Sequence, residues 1–194
     1  MKKIILFSLI SISFLISNSL YAAETYQLGK ANFALKADSI SFSDELISNL
    51  DVDNGFYGGL EFYLALAPDG YLGIESGYAF IDSNVSGTLT ELTFIPVEIN
   101  LKGSLQATPN LVFDVGVGIA GIYVDALQLT GLVITMDDND SAFGGQVFLD
   151  MNYVFGNFIW GLHGKYQLTS DADFNNVDYN FSNFRVGTQI GFRF

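Results

Sequence analysis

The sequence predicts an all-β protein: an eight-stranded antiparallel up-and-down transmembrane β-barrel, with short turns at one end and longer loops at the other. Three observations carry that prediction. Hydrophobic residues make up 49% of the 194 residues and charged residues only 15%, against about 25% charged in an average soluble domain. Apolar and polar residues alternate with a period of two along eight stretches, as they do in strands with two unlike faces. After the first segment, Gly, Asn, Asp or Glu interrupts every apolar run. No later window therefore reads as a spanning helix, and a closed set of strands is the remaining way into a bilayer.

The first segment supplies the compartment. Lys2 and Lys3 form a basic start, residues 4–16 an apolar stretch diluted by Ser8, Ser11 and Ser13, and Leu20-Tyr21-Ala22 precedes Ala23-Glu24. This is the layout of a secretory signal peptide cleaved after Ala22, and its apolar run is shorter than the roughly 20 residues of a spanning helix. The expected organisation is a signal peptide over 1–22 and one barrel domain over 23–194. No cysteine follows the apolar run, which excludes a lipoprotein anchor. The chain has no cysteine at all, so disulfides, thiolate metal sites and thiol catalysis are excluded too. Removing Lys2 and Lys3 leaves six basic residues against 21 acidic ones, a net charge of −15. Nucleic acid, which needs clustered cations, is not an expected partner.

In the mature chain the alternating stretches are 26–37, 55–67, 71–82, 91–102, 111–124, 142–155, 158–169 and 183–194. Each is about as long as the roughly 9 to 11 residues a tilted strand needs to cross a bilayer. Their connectors alternate in length. Those at 68–70, 103–110 and 156–157 form the short set, with Pro68-Asp69-Gly70 and Gly156-Asn157 as turn chemistry. Those at 38–54, 83–90, 125–141 and 170–182 are mostly longer.

The two faces decide between a membrane barrel and a soluble one. One face carries Phe, Leu, Ile, Val, Tyr and Trp almost without charge. The other carries Gly, Ala, Asn and single charges in mid-strand: Lys30, Lys36, Lys102, Lys165, Arg185 and Arg193, with Glu61, Glu75, Glu98, Asp114 and Asp150. Six bases opposite five acids form an expected lumen charge network, since charges in a narrow interior must be paired. Glycines on that face suit a lumen too narrow for many large side chains. Outward aromatics gather near strand ends, Phe155, Phe158, Phe192 and Phe194 at one and Phe56, Phe80, Tyr123, Phe143 and Phe184 at the other, as two interfacial girdles.

On its signal peptide, the 93–101 strand Thr-Phe-Ile-Pro-Val-Glu-Ile-Asn-Leu and the terminal Gly191-Phe192-Arg193-Phe194, the chain resembles the small eight-stranded outer-membrane β-barrels of Gram-negative bacteria. That group includes the OmpA transmembrane domain and OmpX. The resemblance implies outer-membrane localisation, short periplasmic turns and loops facing outward. It implies outer-membrane lipids and lipopolysaccharide as surroundings, with periplasmic chaperones and the barrel assembly machinery as partners. Phe192 and Phe194 then act as the assembly signal, although Gln189 stands where the usual signal has glycine. With nothing after Phe194, no peptidoglycan-binding domain is expected, and OmpX is the closer likeness.

Other candidate chemistry is outweighed by plainer readings. Residues 116–121 satisfy G-x-G-x-x-G, but an alternating β-branched stretch follows where a dinucleotide site needs a helix. Asp137, Asp138 and Asp140 form a candidate weak cation site in an acidic loop, without EF-hand spacing. His163, the sole histidine, has no adjacent serine and is expected as a hydrogen-bonded lumen residue rather than a lipid A hydrolase base. Alternation through 125–135 predicts a β-ribbon above the membrane, whose edge could pair with a foreign strand. Ser43 ahead of Asp44-Glu45, Leu46, Ile47 and Leu50 predicts a capped helical turn over the barrel mouth. No cofactor, no metal and no catalytic residue are expected. The expected function is a non-enzymatic envelope protein whose acidic loops meet a host or surface ligand. A narrow pore or hydrophobic-solute transporter of the OmpW type is the alternative, and a lipid A-modifying enzyme the second.

Overall fold

The computed structural model describes residues 27–44, 47, 54–85, 88–130, 133–174 and 177–194. The expected signal peptide lies outside them, as does most of the helical turn predicted after Ser43. Among the described residues ten strands are formed: β1 (Ala31–Phe42), β2 (Asn54–Ala67), β3 (Gly70–Val85), β4 (Thr88–Thr108), β5 (Leu111–Thr130), β6 (Val133–Phe155), β7 (Phe158–Thr169), β8 (Asp171–Phe174), β9 (Val177–Asn180) and β10 (Asn183–Arg193). Eight of them close a barrel in the order β1-β10-β7-β6-β5-β4-β3-β2, with every pairing antiparallel.

Apart from the ribbon at the loop end and shifts of one residue, the boundaries differ from the sequence reading in four places, each for a local reason. β1 starts at Ala31 rather than 26, because Gly29 takes φ +74° and turns the preceding chain across the barrel mouth. β1 then runs on to Phe42, pairing Phe42 with Asn183. β4 continues to Thr108, which cuts the expected 103–110 connector to Pro109-Asn110. The 170–182 loop contains the hairpin β8–β9, whose four-residue strands are too short to stand out from an Asp-rich sequence.

The ribbon expected at 125–135 is present, and broader than expected. β5 and β6 pair up to Thr130 and Val133, β4 follows β5 to Thr88, and β3 follows β4 to Val85. Four adjacent strands thus rise beyond the outward aromatics Phe80, Tyr123 and Phe143, while β7 stops at Thr169 opposite Gly144.

Inside the wall, one proline interrupts the ladder. Pro96 has no N–H to donate, and the β3–β4 pairing skips from Ser76–Val97 to Ala79–Phe94; the Ser76 hydroxyl donates to the Pro96 carbonyl at 2.9 Å. Outside, Leu60, Ile74, Val97, Ile119, Val147 and Ile190 are exposed, an apolar surface fit for lipid. Phe155, Phe158, Phe192 and Phe194 form a chain of ring contacts at the turn end, with centroids 4.8–5.7 Å apart. Inward glycines make room for rings on neighbouring strands. A Cβ at Gly77 would collide with Tyr57, and one at Gly116 with Phe148.

Candidate functional site

The pleat sends alternate residues inward, and closure stacks them in three layers. At the loop end, Ile40, Phe42, Tyr57, Ile81, Leu92, Phe94, Ile122 and Val124 form an apolar layer. Ile47, Ala172 and Phe181 drop into it from the loops above. Of the predicted helical turn, Ile47 is helical and buried, while the expected caps Ser43 and Asp44 engage the 180–182 backbone, the Ser43 hydroxyl donating to the Ser182 carbonyl at 3.0 Å and Asp44 accepting the Asn180 N–H at 2.8 Å. At the turn end a second apolar layer contains Tyr63, Tyr71, Val112, Phe148, Val154 and Ile159. Leu28, from the segment ahead of β1, completes it.

That N-terminal segment is well anchored. The Leu28 N–H donates to the Tyr71 hydroxyl at 3.0 Å, the Asn32 amide to the Leu28 carbonyl, and Arg193 Nη1 to the Gln27 carbonyl. The Lys30 N–H donates to the Phe194 carbonyl at 2.7 Å, so the segment also clasps the seam where β1 meets β10. Leu28→Ala is expected to cost about 2 kcal/mol of unfolding free energy, at the low end for a buried leucine because a terminal segment can relax. Urea unfolding in detergent micelles would read it as a lowered midpoint.

Between the two apolar layers lie the charges. Lys36, Asp38, Glu61, Glu75, Glu98, Lys102, Asp114, Asp150, His163, Lys165 and Arg185 are all buried. Register places like charges side by side. Glu61, Glu75 and Glu98 are direct cross-strand partners on β2, β3 and β4; Asp114 pairs with Asp150 on β5 and β6; Lys165 pairs with Arg185 on β7 and β10. Directly opposed like charges are destabilising in a sheet, so each set draws its counter-charge from elsewhere in the lumen.

The ion pairs therefore run across the barrel. Lys165 on β7 reaches Glu75 on β3 at 2.8 Å, and Arg185 on β10 reaches Glu98 on β4 at 2.5 Å. In the ring of eight strands, β7 faces β3 and β10 faces β4. Both pairs span a diameter. Lys165 also meets Glu98 at 2.5 Å, and Lys36 lies 2.7 Å from Glu61 and 2.8 Å from Glu75. Lys102 sits 3.4 Å from Asp114 and 3.8 Å over the Tyr63 ring. Amides fill the remaining valences: Gln146 donates to Glu98 and to Asn100, and Asn152 to Asp114. His163 Nδ1 is 2.5 Å from Asp150 Oδ1.

Two residues expected in this network lie elsewhere. Lys30 has the inward parity but precedes β1 and is exposed at the turn end. Arg193 sits at the open end of β10, donating Nε to the Gly156 carbonyl and Nη1 to Gln27. Parity alone cannot tell where neighbouring strands cease to cover a side chain. One residue was missed: Asp38 is fully buried at 0% exposure, although it falls in a stretch read as loop. Its signal was there, since 38, 40 and 42 continue the inward parity of Lys36. Among the described residues the buried balance is four cations and one histidine against six carboxylates.

The stretch expected as an acidic loop is part of β6, because 137–140 pair with β5 in the ribbon, and there the Asp140 carboxylate accepts the Asp173 N–H at 2.8 Å. That bond and one from the Ser141 N–H hold its carboxyl below the usual range. Asp138 accepts the N–H of Asn139 at 2.9 Å, and the Asp137 side chain lies outside the described ones. Among the described residues no group of three or more His, Asp or Glu is placed to hold a metal.

A closed eight-stranded antiparallel barrel, apolar outside and filled with paired charges inside, has the fold of the small outer-membrane β-barrels. Among solved structures it is similar to Neisserial surface protein A, at a TM-score of 0.68 and 12% identity over 86% of this chain and 98% of that one. OprG from Pseudomonas aeruginosa matches at a TM-score of 0.53 and 11% identity, over 89% and 100%. Ail, the attachment invasion locus protein of Yersinia pestis, solved with the heparin analogue sucrose octasulfate, matches at 0.53 and 9%, over 84% and 97%. In sequence, no family model and no curated protein matches the chain.

Proposed function

We propose that this chain is a non-enzymatic outer-membrane barrel with a sealed lumen that stabilises the envelope and offers an acidic surface to partners outside. The observation that carries it is the pair of ionic contacts spanning the barrel diameter, Lys165–Glu75 and Arg185–Glu98, closed off above and below by apolar layers. A lumen crossed by side chains supports no water-filled path, as is usual for eight strands. His163 lies within that layer against Asp150, away from the membrane surface where a lipid A-modifying enzyme needs its base.

The outer face supports the surface role. The four-stranded extension of β3 to β6 ends in an edge, β6 from 133 to 139, for which β5 is the strand partner among the described residues, while β8 meets β6 at Asp140. Such an edge can accept a strand from another protein. The chemistry of the partner follows from charge. Every Lys and Arg of the mature chain lies in the lumen or at the turn end, and the loop end holds none. A sulfated polyanion of the kind bound to Ail would meet only like charge here, so the expected partner carries basic groups. Phe192 and Phe194, at the strand that closes the ring, are suited to the assembly-signal role, and lipopolysaccharide would surround the outer girdle.

Reconstitution in planar bilayers tests the sealed lumen. The expected result is no steady conductance, and stable open channels would promote the pore reading instead. An unchanged lipid A mass spectrum on overexpression is the expected result for a barrel without enzyme activity.

A further inference from the structure

Deep in the interior, three strands bring together polar atoms that no protein group satisfies. Asp38 on β1 stands opposite Gly187 on β10, and Gly187 stands opposite His163 on β7. Carboxylate and imidazole therefore approach over a residue without a side chain. A Cβ at Gly187 would collide with the Ala37 carbonyl and Asp38 Oδ1, so only glycine lets the Asp38 carboxylate lie against β10 here. His163 directs Nδ1 to Asp150 at 2.5 Å, which places a proton on Nδ1, and turns Nε2 toward Asp38 Oδ2 at 3.9 Å. That gap is too long for a hydrogen bond.

Among the described residues nothing else closes it. Both oxygens of Asp38, Nε2 of His163, and Nε and Nη1 of Arg185 are buried without a hydrogen-bond partner. Arg185 is two residues from Gly187 on the same face of β10, with its guanidinium 4.4 Å over the Tyr57 ring. Lys36, the one lysine on β1, meets Glu61, Glu75 and, at 3.5 Å, Nδ1 rather than Nε2 of His163. Orphaned buried donors and acceptors in one place are the usual mark of an internal water.

We propose that an internal water occupies the gap between Asp38 and His163. At about 2.8 Å from each atom, a water oxygen spans a 3.9 Å separation without strain. It donates one hydrogen to Asp38 Oδ2. Its other hydrogen meets Nε2 of a neutral imidazole, or its lone pair accepts from Nε2–H of a charged one, so the same water serves both forms. A metal ion is a poor occupant, because the cations Lys36 and Arg185 already lie near the carboxylate. The water links Asp38, which lies just beneath the loop-end apolar layer, to the His163–Asp150 pair.

The test is a crystal structure of the full mature chain at a resolution that orders internal waters, from crystals grown with rubidium as the monovalent salt. The expected result is a density peak within hydrogen-bond reach of Asp38 Oδ2 and His163 Nε2, with no anomalous signal. Asp38→Leu should lose the peak. Should Asp38→Leu not fold, as judged by unshifted mobility on an unboiled detergent gel, Asp38→Asn, which still accepts a hydrogen bond, should keep the peak. An anomalous rubidium peak, direct contact between Nε2 and Asp38, or an empty gap in the folded protein would each overturn the proposal.

Discussion

Glu98→Ala is expected to remove about 3–5 kcal/mol of unfolding free energy, the usual cost of deleting one partner from a buried ion pair. Glu98 receives Arg185 and Lys165 at 2.5 Å each, together with amide hydrogens from Gln146 at 3.1 Å and Gln167 at 3.4 Å. Without it, Arg185 retains one carboxylate, Glu75, at 3.6 Å. The loss comes less from the vanished attraction than from two cations left buried against Glu75 alone. Glu98→Gln should fall between, since an amide oxygen still accepts but carries no charge. Coupling it with Arg185→Met should recover much of the loss, because removing both ends of a buried pair leaves no orphaned charge. Denaturant unfolding in lipid vesicles measures all three. A wild-type midpoint for Glu98→Ala would sink the view that these cross-lumen contacts hold the walls together.

Val117→Arg should cost about 2–4 kcal/mol when the barrel is folded into a bilayer, the range for a cation at mid-depth on a lipid-facing strand. Val117 lies halfway along β5 between Leu111 at the turn and Tyr123 at the girdle, and it is exposed in a surface of Val97, Leu101 and Val147. On a water-facing barrel the same change would be neutral or favourable, since it would cover apolar surface with a solvated charge. The experiment thus separates a membrane barrel from a secreted soluble one. The readout is the shift in folding midpoint between wild type and variant in vesicles, and no shift would count against the membrane reading.

Much of this architecture was legible in the sequence. Phe184, Val186, Ile190 and Phe192 alternating with Arg185, Gly187, Gln189 and Gly191 fix which face of β10 points inward, because a strand has only two faces. Strand ends were read less well. Ile40 and Phe42 look like a break in the pattern, since apolar residues there point inward, and Asp38 was lost with them. The apolar layer at the loop end was not legible for the same reason: its members come from strands and loops far apart in sequence. Parity alone puts Lys30 and Arg193 in the lumen, because parity is blind to depth.

By itself the sequence determined the number of barrel strands, their two faces and the excess of acid, all consequences of period-two geometry and local turn chemistry. Only the tertiary structure decided how the charges are arranged. Pairing register lines up Glu61, Glu75 and Glu98 on one wall, and closure of the ring brings Lys165 and Arg185 from the opposite wall to meet them. Register depends on long-range hydrogen bonding between strands, and diametric contact on the circumference of the closed sheet. Neither is a property of any segment alone, and together they turn a set of inward charges into the crossbars that fill the lumen.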